Sequence, residues 1–210
     1  MAFGSYSDLS TTVFSRLNRG AVTADFDAAI VLAESEVNRR LALKPVRPMH
    51  THSTATVSTE YVGVPADILD VDSMAINGVE VTCTSPQNIE RMAAEDAAVP
   101  RYYTQIGDEF RFHPVPDASY TLDMIYWAKV PNLNSTNTTN WLLASHPDVY
   151  FHGVLAHLYQ QYFSPDEAET HAALFDAALE KVLSSYPTRT DTRPLTTDIG
   201  YFLLSRSTLA

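Results

Sequence analysis

Cysteine is nearly absent: Cys83 is the only one in 210 residues. That excludes an intramolecular disulfide and a cysteine-based zinc knuckle. Lysine is scarce as well, limited to Lys44, Lys129 and Lys181, and 14 basic residues stand against 25 acidic ones for a net charge of −11. A surface that grips a DNA duplex needs clustered Lys and Arg to neutralise phosphates, so this balance argues against one. No stretch approaches the roughly 18 consecutive apolar residues of a membrane-spanning helix. The seven glycines build no Gly-rich phosphate loop, and no internal repeat has a fixed period. The N-terminal MAFGSYSDLSTT carries no basic region and no long apolar run, so the expectation is that it is not a signal peptide.

What is present is an average hydrophobic content of 45%, enough for a packed core. Leu9, Val13 and Leu17 repeat every four residues after a possible cap at Ser5 or Ser7, with Gly20 in the place of a C-terminal glycine. A longer helix follows, with Thr23 as the expected N-cap and Phe26, Ile30, Ala33, Val37 and Leu41 as its stripe; Pro45 and Pro48 stop it. From Thr51 the period changes to two. Strand-like runs cover 54–62, 68–76 and 79–84, and Asn77-Gly78 between the last two is a strong hairpin signal, because a type I′ turn requires two positive φ values. Ser85-Pro86 reads as the cap and first residue of a short helix reaching about Ala94. Further strands are expected over 102–106, 109–113 and 119–130. Residues 132–140, NLNSTNTTN, read as an exposed loop.

Two helices close the pattern. Pro147 opens the first, which is apolar nearly all round and therefore central. Ser164-Pro165-Asp166-Glu167 has the form of a capping box, and Ala168, Ala172, Phe175, Leu179, Val182 and Tyr186 form a seam behind it. After Tyr186 periodicity ends. Residues 187–210 are Thr-rich with net charge +1, and hold an apolar cluster of Ile199, Tyr201, Phe202, Leu203 and Leu204. The expected fold class is α+β: a bundle of about four helices with an inserted antiparallel β region and an extended C-terminal arm. The divisions are 1–50 for the N-terminal helical pair, 51–131 for the β insertion, 132–186 for the loop and closing helices, and 187–210 for the arm.

Catalytic chemistry finds little footing. No G-x-S-x-G occurs, and Cys83 reads as a small half-buried strand residue. His50 and His52 could share a strand face, but His152 and His157 lie about 140° apart on a helix, and no H-x-x-x-H or Cys/Glu cluster joins them. Asp67, Asp70 and Asp72 alternate with apolar residues as a strand would, unlike a calcium loop. No catalytic, cofactor or metal residue is assigned. The aromatics Tyr102, Tyr103, Phe110, Phe112, Tyr120, Tyr126 and Trp127 read as core of a β layer, since a base-stacking platform would need basic neighbours. Two rival readings are a metal-dependent hydrolase using His50, His52, His146 or His152, and a carbohydrate-binding module with Trp127 or Trp141 as its platform.

Several phrases, taken in order, resemble the head-to-tail adaptor proteins of tailed bacteriophages. They are Tyr6-x-Asp8-Leu9; Phe26-x-x-x-Ile30-x-x-Ala33-Glu34-x-x-Val37-Asn38-Arg39-x-Leu41; Tyr61 to Leu69; Ile76-Asn77-Gly78; Pro100-Arg101-Tyr102-Tyr103 through Tyr120-x-Leu122; and Tyr126 to Leu133 with Asn140-Trp141-Leu142-Leu143 and His146 to Tyr150. Val64 and Ile68 depart conservatively from the usual residues. The resemblance covers about residues 5–185. It implies a non-enzymatic virion protein of the neck, forming a ring of about twelve copies beneath the portal, with genomic DNA passing through and a tail nozzle or other tail protein below. It also implies an arm reaching up to the portal. Composition then nominates Arg189, Arg193, Ile199, Tyr201, Phe202, Leu203, Leu204 and Arg206 as portal-binding residues. Between His50 and Val99 eight acidic side chains meet only Arg91, which nominates Asp67, Asp70, Asp72, Glu90, Glu95 and Asp96 to face the channel.

Overall fold

The first helix, α1 (Tyr6–Leu17), begins where Ser5 Oγ accepts the Asp8 N–H at 3.2 Å and buries Leu9, Val13 and Leu17. This computed structural model of the chain describes residues 4–17, 22–92 and 96–186. Helix α2 (Thr23–Leu43) buries the whole expected stripe, but its N-cap is Val22 rather than Thr23. Thr23 already has helical backbone, so its hydroxyl cannot cap, and Val22 supplies no side-chain bond.

The β region is more divided than its periodicity suggests. Strand β1 (His50–Val57) and β2 (Tyr61–Gly63) are separate, and so are β4 (Val79–Glu80) and β5 (Thr82–Cys83), which follow β3 (Ile68–Ile76) and its turn. Asn77 and Gly78 do take positive φ, 51° and 78°. The short helix α3 (Pro86–Arg91) is capped by Ser85, whose side chain accepts the Asn88 N–H, and it ends before the expected Ala94. Then come β6 (Tyr102–Ile106), β7 (Glu109–His113) and β8 (Tyr120–Ala128). They form two sheets, ordered β1-β8-β3-β4 and β2-β7-β6-β5. All pairings are antiparallel except β5 with β6, which is parallel. Parallel neighbours need a crossover between them, and here α3 lies in the connection from β5 to β6. Since β5 is an edge strand, Cys83 is exposed and not half-buried.

A core of Val57, Met74, Ile76, Tyr103, Phe110, Phe112, Leu122, Met124 and Tyr126 joins the two sheets. Trp127 instead belongs to a second core, made by the helices. Helix α4 (Trp141–Ser145), absent from the sequence reading, starts at Asn140, whose side chain accepts the Leu143 N–H. The central α5 (Pro147–Gln161) packs on α6 (Pro165–Ser185), α2, α4 and α1. At Gly153 helix α5 lies close to both α6 and α2: a Cβ there would lie 2.9 Å from the Phe175 ring and 3.2 Å from Ala33 Cβ.

The capping box at Ser164 is not formed, although α6 starts where expected. Helix α5 ends in a Schellman motif: the Phe163 N–H donates to Gln160 O and the Ser164 N–H to Tyr159 O. The Ser164 N–H is therefore engaged, leaving Glu167 nothing to reach back to. The α6 seam also shifts: His171, Phe175, Ala178, Leu179 and Val182 are buried, while Ala172 is exposed.

Candidate functional site

Glu34, on α2, is 5% exposed and organises the loop after β8. One of its carboxylate oxygens accepts the Leu133 N–H at 2.7 Å and the Tyr150 hydroxyl at 2.8 Å. The Tyr150 oxygen in turn accepts from Asn140 Nδ2, which also donates to Pro131 O, both at 2.7 Å. One turn along α2, Asn38 Oδ1 accepts the Val130 N–H at 2.8 Å. Burial pushes the Glu34 carboxyl up, with the Leu133 and Tyr150 bonds opposing that. Burial and the facing Glu34 raise the Tyr150 phenol as well. Glu34, Asn38, Asn140 and Tyr150 thus fix the path from the β region back into the helices. No local pattern in the sequence marks Glu34 as buried.

The nominated acidic residues occupy separate environments. Asp67 lies 3.3 Å from the Tyr126 hydroxyl that donates to it, Asp70 accepts its neighbour Val71's N–H at 2.9 Å, and Asp72 sits 3.4 Å from His50 Nε2. Glu90, on α3, pairs with Arg111 of β7, which also binds Glu60 at 2.7 Å. Asp96 is exposed. Glu95 lies outside the described residues, as do the arm positions Arg189, Arg193, Ile199, Tyr201, Phe202, Leu203, Leu204 and Arg206.

The histidines are likewise dispersed. His50 and His52 sit on β1 opposite Asp72 and Asp123, and His146 is 3.4 Å from the Tyr186 hydroxyl. No group of three or more His, Cys, Asp or Glu that could hold a metal occurs among the described residues. Trp127 is 9% exposed with the His50 ring against it, and Trp141 packs edge-on to Tyr186. Trp127 therefore presents no open ring face to a sugar.

One pair escaped the sequence reading. His152 on α5 and His171 on α6 meet with their Nδ1 atoms 2.9 Å apart, and Tyr159 stacks on His171. Burial holds both rings below the ordinary histidine range. Lys181 adds to that at His152 against the pull of Asp148, and His152 and Arg16 add to it at His171. Burial lowers His157 too, opposed by Glu36. The folded chain thus binds these protons less readily than the unfolded one. Their contribution to stability is complete above the unfolded value of about 6.5 and is lost as pH falls from there through the lower values of the folded chain. Glu34, raised, acts in the opposite sense. We expect the urea midpoint to drop between about pH 7.5 and pH 5.5, and His171→Asn to flatten that drop. An unchanged slope in the variant would contradict this.

His157 lines an open groove of about 950 Å³ between α2, α5 and α6. Leu32, Ala156, Phe163, Ala168, Ala172 and Phe175 give it an apolar floor and wall. Its rim carries Glu36, Arg40 and Asp176, joined by ion pairs of 2.7–2.8 Å, and also Glu169. Phe163 is 92% exposed at a backbone φ of 57°.

Compared with known protein families, residues 5–198 match the model described as SU10 adaptor protein. No curated protein matches the chain.

Proposed function

The chain belongs to the SU10 adaptor protein family, a family of phage head-to-tail adaptors, and from that premise we propose that it forms a ring beneath the portal through which the genome leaves the head. The match over nearly the whole chain carries this reading. In it, the protein is a structural, non-enzymatic part of the virion neck. About twelve copies form the ring, a symmetry-closed assembly, with the portal above and a tail protein below. Helices α1, α2, α5 and α6 are the bundle, the two sheets are the insertion, and residues 187–210 are the arm that anchors to the portal.

Charge supports the passage of DNA. An acidic wall lets a polyanion slide without trapping it, and each copy brings a net −11. Among the nominated residues Asp67, Asp70 and Asp96 are the exposed carboxylates without a basic partner among the described residues. Glu90 is partly neutralised by Arg111. The isolated protein should therefore show no salt-sensitive binding of duplex DNA in a gel-shift titration. Tight binding that weakens steeply with salt would contradict an acidic channel.

A further inference from the structure

We propose that the groove between α2, α5 and α6 is the docking site of the chain's own residues 199–204 in the free protein, before any portal is met. The groove is apolar at its base and remains open along its length. Phe163 at its mouth is doubly unfavourable as a monomer feature. Its C′ position takes left-handed backbone, which glycine adopts freely and a bulky side chain only with strain, and its ring is almost wholly in water. The ring lines the groove together with Leu32, Ala156, Ala168 and Ala172, adding to its apolar lining.

The covering segment is within reach. Helix α6 ends at Ser185, and the groove lies opposite Ala172, about 20 Å back along that helix at 1.5 Å per residue. The Thr-rich tether 187–198 spans up to about 40 Å, enough to reverse direction and lay Ile199, Tyr201, Phe202, Leu203 and Leu204 into it. Chemistry matches at both levels. The segment is apolar where the floor is apolar. Arg206, two residues beyond Leu204, would meet a rim that carries Glu169, which makes no ion pair among the described residues. The chain's own body is favoured over a second copy because a tether of only twelve residues, 187–198, holds the segment at an effective concentration on the order of millimolar. A docked segment would have to be displaced before it could bind anything else, lowering its apparent affinity by the fraction released.

The docking is a property of the free chain, so its test needs no portal and can fail independently of the ring reading. In a Cys83→Ser background, Leu32→Cys with Leu203→Cys places one thiol in the groove wall and one in the segment. Val79→Cys with Leu203→Cys is the control, since Val79 is 67% exposed on β4 and outside the groove. Under mild disulfide oxidation by oxidised glutathione, the groove pair should close at least ten-fold faster than the control, within one chain on a denaturing non-reducing gel. Phe163→Gly, which relieves the backbone, should bring the rate towards the control. Equal rates for both pairs, or products that are mainly interchain dimers, would overturn the proposal.

Discussion

Removing residues 187–210 is expected to leave a folded body that no longer joins portal rings. The described residues before the arm already build two hydrophobic cores: the one between the sheets draws on residues from Val57 to Ala128, and the helical one on residues from Leu9 to Val182, with Leu183 and Tyr186 packed against it. The helical melting transition of the truncated chain should therefore stay cooperative. The loss falls on assembly. Residues 187–198 are polar and cannot bury enough surface to fold alone, while the five large apolar side chains of 199–204 supply most of the area a partner could cover. Co-sedimentation of truncated and full-length protein with portal rings measures this. Retention of full binding by the truncated chain would show that the body, and not the arm, is the anchor.

Leu179→Ala should be the most damaging single truncation in α6. Leu179 is fully buried, on the seam with Phe175 and Val182, against a core that includes Leu9, Val13, Ile30 and Ala33. Deleting a leucine side chain in such a site removes its transfer free energy and leaves a cavity, about 2–5 kcal/mol in total. The helices around it are held close at Gly153, where the Phe175 ring and Ala33 leave no slack, so collapse into the void is limited and the upper half of that range is expected. Urea unfolding gives the value directly. A cost below about 1 kcal/mol would mean that α6 is not part of the cooperative core.

The elements legible in the sequence are those whose cause is local. The Asn77-Gly78 turn, the Ser85 cap, the α2 stripe and the proline starts of α5 and α6 each depend on a few adjacent residues, and each stands where the pattern placed it. The misreadings share a different cause. Ser164 has the right neighbours for a capping box, yet its N–H is already spent on Tyr159. The split of 79–84 between two sheets depends on β6, some twenty residues later. Glu34 is an ordinary helix carboxylate until Leu133 and Tyr150, about a hundred residues on, bring their donors to it. The His152–His171 pair and the groove exist only once α5 and α6 lie side by side. The arm has composition but no pattern, so its proposed role rests on what the resemblance implies and on its apolar cluster and arginines.

The native mass of the particle formed when this protein is mixed with its portal tests the ring most directly. The account predicts a single species heavier than the portal alone by about twelve chains of 23.3 kDa each, with no increment for the chain lacking residues 187–210. A particle whose mass equals the portal alone, or one carrying one or two copies, would contradict it.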